Sequence, residues 1–202
     1  IRFVGPNCMG LFDTSSDFNT VIFLPPLKRG PVALISQSGN SGQSIVTLGI
    51  EMGLGFSKYV SSGNEADLHY EDYLQYLWQD DETKVILGYI EGLREGKRFL
   101  ELASEITKKK PMVVVKAGRT QAGANAARSH TAALAGSDVI TDAAFKQASV
   151  IRVDEIGELI DVAQALLSQP LPRGRRVGVL SIGGGMAVMA ADAVIKQGME
   201  LV

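Results

Sequence analysis

The chain is poor in the residues that build covalent and metal scaffolds. Its 202 residues include one cysteine, Cys8, and two histidines, His69 and His130. A single thiol excludes an intrachain disulfide and agrees with a reducing, cytoplasmic setting. With no Cys/His cluster, no metal site is expected, and His69, at the start of a helix-like stretch, is expected to be structural. Net charge is only −2, so nothing points to a nucleic-acid or membrane surface. No apolar run approaches the roughly 20 residues of a membrane span. An initiating methionine and a signal-peptide pattern are also missing. Ile1-Arg2-Phe3-Val4 reads as the end of a strand already under way, so a piece of a larger protein is expected.

What is present is ordinary globular composition, 46% hydrophobic and 21% charged, enough for one to two domains. Residues 1–10 end in the turn-rich Gly5-Pro6-Asn7-Cys8-Met9-Gly10. The stretch from there to Gly30 has Pro25-Pro26 and no clear period, as a connector would. Strand-like and helix-like stretches then alternate. Strands are expected at 32–35, 56–60, 84–90, 112–115 and 150–153; helices are expected at 43–52, 70–78, 97–109, 138–147 and 156–167. Gly53 suits a left-handed cap on the first of these helices. The basic run Lys108-Lys109-Lys110 suits a solvated turn. Five such units with near-continuous apolar strands imply a parallel sheet covered on both faces, an α/β fold of the flavodoxin-like, doubly wound kind. Ligands of such sheets gather at the carboxyl ends of the strands, where Ser38, Asn64, Glu91 and His130 fall.

After a Pro-containing linker at 169–176 the pattern restarts. Residues 177–185 match 32–40 at a constant offset of 145, which also places Gly198 on Gly53. This is an internal repeat whose second copy begins near the end of the chain.

The segment from Lys116 to Asp138 is long for a connection, built of small residues, and basic at Lys116, Arg119 and Arg128, with His130 in its middle. Such loops are usually functional or disordered. An imidazole among cations can carry a negatively charged group; alternatively, Ser129 or Thr131 caps a helix and His130 only lies beside it. The turn Ser36-Gln37-Ser38-Gly39-Asn40-Ser41-Gly42 can form an anion site from the free N–H groups at a helix start, with Ser38 and Ser41 as hydroxyl donors. It lacks the Lys-Ser/Thr ending of a nucleotide P-loop and does not fit GxGxxG. Glu91 closes an apolar strand, where a carboxylate could fix an imidazole tautomer or simply cap the next helix. Asn64-Glu65-Ala66-Asp67 could form a second polar wall, although loop acids are commonly solvated.

Four pieces occur together in one order: Gly5-Pro6-Asn7-Cys8; Ser36-Gln37-Ser38-Gly39; the strand ending in Glu91-Gly92; and Ser129-His130-Thr131 with Ala135-Gly136-Ser137-Asp138. In this the chain resembles the NDP-forming acyl-CoA synthetases, relatives of ADP-forming acetate–CoA ligase and of the succinyl-CoA synthetase α subunit. The resemblance implies that 1–27 is the tail of a Rossmann-like CoA-binding domain and a connector. It makes 28–169 a first flavodoxin-like ligase domain and 175–202 the start of a second. It implies a phosphohistidine at His130, oriented by Glu91. Ser38, Gly39 and Asn40 would be the phosphate-binding helix start, and Asn7 and Cys8 would lie near the CoA thiol and acyl group. Asn40 stands where many relatives have glycine or threonine, which leaves the backbone donors intact. The substrates implied are CoA and a small carboxylic acid. ATP/ADP with Mg²⁺ would be bound by an ATP-grasp domain or subunit absent from this sequence, in an oligomer, and the 202 residues alone are expected to be inactive. A degenerate, acyl-CoA-sensing module of a protein acetyltransferase is the competing reading, and a flavin-binding or purely interfacial flavodoxin-like domain is a third.

Overall fold

The computed structural model describes residues 1–22, 25–120, 123, 137–170 and 172–202. They form two compact units, Ile1–Ser168 and Gln169–Val202.

The first unit is built on a sheet of seven strands: β1 (Leu11–Asp13), β2 (Phe18–Asn19), β3 (Arg29–Ser36), β4 (Phe56–Ser61), β5 (Val85–Ile90), β6 (Met112–Lys116) and β7 (Ile151–Val153). Their order is β2-β1-β4-β3-β5-β6-β7. The pairs β4–β3, β3–β5, β5–β6 and β6–β7 are all parallel. From β3 the chain moves first to β4 on one side and then, through β5, to the other. The sheet therefore has a switch point between the carboxyl ends of β3 and β5, where open α/β sheets place ligands.

Alternation of side chains along β3 sorts the core into two layers. Val32 and Leu34 join Ile45 and Val46 of α1 (Gly39–Glu51) and Leu159 and Ile160 of α5 (Ile156–Ser168). Ala33 and Ile35 face Tyr70 and Leu74 of α2 (Tyr70–Gln79), Phe99 of α3 (Gly96–Ile106) and Phe145 of α4 (Asp138–Gln147). Both faces of the parallel strands are thus covered, as their apolar runs require.

Several elements differ from the sequence expectation. Residues 11–30 do not merely connect: β1 and β2 extend the sheet antiparallel from β4. Phe12 packs against Phe56 and Tyr59, and Asp13 flanks the buried Lys58 of β4 at 3.6 Å, with Asp80 at 3.0 Å. Helix α1 begins at Gly39 rather than Gln43, because the Ser38 hydroxyl accepts the Ser41 N–H as an N-cap. The helix ends as expected before Gly53, whose φ of +91° continues the chain in the left-handed region. Lys110 is partly buried rather than a free solvated side chain. Its ammonium donates to the carbonyls of Leu77, Trp78 and Asp80 at 2.6–2.9 Å, satisfying the end of α2.

The second unit holds β8 (Arg176–Val177), α6 (Gly184–Lys196) and β9 (Glu200–Leu201), with β8 and β9 parallel. Shifting α1 by the 145-residue repeat offset gives 184–196, the bounds of α6, and Gly198 repeats the positive φ of Gly53 at +67°. Among the described residues, no helix is long and apolar enough to cross a membrane.

Candidate functional site

The loop between β3 and α1 lies at the switch point. Ser36 closes β3, and its hydroxyl donates to the Ser38 carbonyl at 2.6 Å, fixing the turn. The N–H groups that open a helix have no intrahelical partners; in α1 that of Ser41 is taken by the Ser38 hydroxyl, and no acidic residue lies in the first turn. That end of the helix favours an anion.

The segment 5–10 packs over this helix start. The Met9 N–H donates to the Ser61 hydroxyl at 3.0 Å. Met9 comes so close to Gly39 that a Cβ there would lie 2.3 Å from Met9 Cγ, so any larger residue would have to displace the Met9 side chain. The segment is held from the other side by the β4–α2 loop. Asn64 and Ala66 donate N–H groups to the carbonyls of Pro6 and Gly5, both at 2.9 Å. Asn7 Nδ2 donates to Asn64 Oδ1 at 3.2 Å. Between them lies a cavity of about 230 Å³ lined by Asn7, Cys8, Met9, Gln37, Ser38, Gly39 and Asn40. The turn and the Asn7-Cys8 segment, far apart in sequence, thus form two walls of one cleft.

Beneath the cleft, Gln37 is 6% exposed, and its amide is fully used. Its oxygen accepts the N–H groups of Glu91 at 2.6 Å and Gly92 at 3.0 Å. Its nitrogen donates to the Gly92 carbonyl at 2.7 Å and to Glu65 Oε1 at 3.0 Å. Glu65, only 2% exposed, also accepts from the Ser62 hydroxyl at 2.7 Å. It is not a solvated loop acid, as the sequence suggested. Burial pushes its carboxyl above the ordinary range, with the Ser62 and Gln37 hydrogen bonds pulling the other way. No sequence signal marks this network beyond a polar Gln37 between a buried strand end and a helix cap.

Glu91 follows β5 and is buried, with 5% exposure. The Lys116 ammonium reaches its carbonyl at 2.8 Å and also bonds the Ala117 carbonyl, tying β5 to β6. Burial lowers the Lys116 pKa. Two cations expected to serve the long loop therefore have internal partners: Lys116 as above, and Arg119, which pairs with Asp154. Arg128, Ser129, His130 and Thr131 lie outside the described residues. Cys8 is a free, partly buried thiol 3.8 Å from the Val4 carbonyl.

Residues 29–166 match the model of the succinyl-CoA ligase like flavodoxin domain. The chain belongs to this family. The matched range includes Ser38, Gly39, Asn40, Glu91 and His130, whereas Asn7 and Cys8 precede it. Relatives in the family include the α subunit of ADP-forming acetate–CoA ligase II of Pyrococcus furiosus, 45% identical over the whole chain. The ADP-forming acetate–CoA ligase of Methanocaldococcus jannaschii is 42% identical, again over the whole chain. The fold matches the dinucleotide-forming acetyl-coenzyme A synthetase 1 of Ca. Korarchaeum cryptofilum, solved with phosphate and ADP, at a TM-score of 0.93 and 38% identity. This chain covers 44% of that structure's chain and 44% and 28% of the two relatives. It therefore spans less than half their length.

Proposed function

We propose that this chain is the phosphoryl-transfer module of an ADP-forming acyl-CoA synthetase, an acid–thiol ligase. The observation that supports this best is the cleft in which Asn7 and Cys8 oppose the start of α1. An acyl thioester held by one wall lies within reach of a phosphate held by the other.

The chemistry follows in three steps. Phosphate attacks the acyl-CoA carbonyl; the C–S bond breaks, and acyl phosphate and CoA form. The His130 imidazole, a nucleophile near neutral pH, takes the phosphoryl group from acyl phosphate and releases the carboxylate. The phosphoryl group then passes to ADP. The backbone N–H groups of Gly39 and Asn40 hold the phosphoryl oxygens with charge-assisted hydrogen bonds that need no reorganisation during transfer. The Glu91 carboxylate holds the imidazole in one tautomer, leaving its other nitrogen free to attack. The nucleotide with its Mg²⁺ belongs to an ATP-grasp partner, fused or separate. The partners are then CoA, a small carboxylic acid and that nucleotide-binding part, in an oligomer.

The test is phosphorylation of the intact protein, or of this module with its nucleotide-binding partner, by labelled ATP and Mg²⁺. Wild type is expected to acquire an acid-labile, alkali-stable label that His130→Ala lacks. Nucleotide binding with no label in either protein would sink the proposal and favour an acyl-CoA-sensing, regulatory module.

A further inference from the structure

A second group of chemically capable side chains lies outside the cleft, where the β4–α2 loop enters α2 and the β5–α3 loop enters α3. His69 precedes α2, Glu71 lies in its first turn, and Glu95 precedes α3. One potential ligand atom from each lies within 4.8 Å of the other two. His69 Nδ1 is 3.9 Å from Glu95 Oε1. Arg98 occupies only the other Glu95 oxygen, at 2.9 Å.

The decisive member is Glu71. It is 0% exposed, and one of its oxygens, Oε2, is buried with no hydrogen-bond partner. The other accepts the Glu95 N–H at 3.3 Å. Leaving a carboxylate oxygen both dry and unpartnered is costly, and such groups pair with cations or coordinate metals. No lysine or arginine bonds to Glu71 among the described residues.

We propose that His69, Glu71 and Glu95 bind one divalent transition-metal ion, and that Zn²⁺ suits them best. One imidazole with two carboxylates is a borderline donor set that favours zinc over the oxygen-preferring Mg²⁺ and Ca²⁺. Ligands about 2.0–2.1 Å from a tetrahedral ion lie roughly 3.4 Å apart. The trio thus needs to contract by up to about 1.4 Å, within reach of the partly exposed His69 and Glu95 side chains. Three protein ligands leave the fourth position to water from the exposed side. The ion would clasp the start of α2 to the loop 92–95, whose Gly92 binds Gln37 through both its N–H and its carbonyl. The role is positional, and the inference is independent of the proposed acyl transfer.

The test uses the intact protein, stripped with a chelator and kept free of nucleotide, titrated with Zn²⁺ and separately with Co²⁺. Wild type, His69→Ala and Glu71→Gln are compared by metal stoichiometry, visible absorption of the Co²⁺ form and Tm. Wild type is expected to bind one more equivalent than either variant, or to bind it at least about tenfold more tightly, and only wild type should gain Tm from that equivalent. His69 is partly exposed, so His69→Ala should fold even if Glu71→Gln does not. Equal stoichiometry, affinity and Tm response in wild type and folded His69→Ala would overturn the proposal.

Discussion

The Gln37 side chain bridges the switch point of the sheet to Glu91: its oxygen accepts the Glu91 N–H at 2.6 Å while its nitrogen donates to Glu65 at 3.0 Å. A neutral amide that both donates and accepts can serve two backbone N–H groups, a carbonyl and a carboxylate at once. An acid could not donate to Glu65 when ionised, and an aliphatic residue could serve none of them.

Gln37→Leu should therefore be costly. It strands two buried N–H groups and removes a donor from a buried carboxylate, and each unsatisfied group costs about 1–3 kcal/mol. The expected loss is about 3 kcal/mol, or roughly 6–12 °C in Tm for a domain of this size. Thermal unfolding measures it. A change within about 0.5 kcal/mol, the range of an ordinary surface substitution, would show that the network contributes nothing.

Gly39 and Met9 should prove coupled. Gly39→Ala forces Met9 away from the helix start, and overpacking of this kind costs typically about 1–3 kcal/mol. Met9→Ala should relieve most of that cost, because the offending atom is a side-chain carbon. A double-mutant cycle by urea unfolding should return a coupling of at least about 0.5 kcal/mol. Additive effects would mean that the two residues do not press on each other.

Lys110 should stand apart from its two neighbours. Its ammonium closes the carboxyl end of α2 on three carbonyls, so Lys110→Ala should cost about 1–2 kcal/mol. Among the described residues Lys108 makes an exposed bridge to Glu105 and no other ion pair, and Lys108→Ala should stay within about 0.5 kcal/mol. Chemical denaturation of both variants checks the contrast, and equal losses would refute it.

The contrast also shows what the sequence carries and what it omits. Apolar periodicity fixed the order of the parallel strands and helices, down to the bounds of α4, because both faces of these strands are buried. It missed β1 and β2 because a three-residue strand with only Phe12 buried leaves no period to detect. The roles of Lys110, Glu65 and Gln37 depend on partners 28 to 55 residues away, which no local pattern announces. Asn7, Cys8, Ser38, Gly39 and Asn40 drew notice as chemistry in turns; that they share a cleft is a property of the fold. His130 had the clearest chemical signal and lies outside the described residues.

Glu65 sets a pH dependence of known sign. Burial raises its folded pKa above the ordinary 4.5, so the folded state binds more protons than the unfolded state. Stability from this group is full below the unfolded pKa and falls as pH rises through the raised value. Glu65→Gln imitates the protonated form at all pH values. Urea unfolding from pH 4.5 to 8 should show the variant gaining on wild type as pH rises. Parallel stability curves would mean that Glu65 titrates alike in both states.

Glu91 offers the sharpest separation of chemistry from structure. Its backbone is held by Gln37 and Lys116, neither of which depends on the carboxylate. Glu91→Gln keeps side-chain size and hydrogen-bonding reach while removing the charge, so Tm should change by only a few degrees. If the carboxylate orients His130 and stabilises the imidazolium, phosphorylation should slow by about 100-fold, in the range of lost acid–base assistance. The pH profile of labelling should also shift, because a carboxylate that contacts an imidazole favours its protonated form and the amide does not. Rapid-quench labelling of wild type and variant across pH 5.5–8.5 measures both. An unchanged rate and profile would assign Glu91 a packing role and leave the orientation of His130 to another residue, whereas a slower rate with an unshifted profile would mean displaced geometry without electrostatic contact.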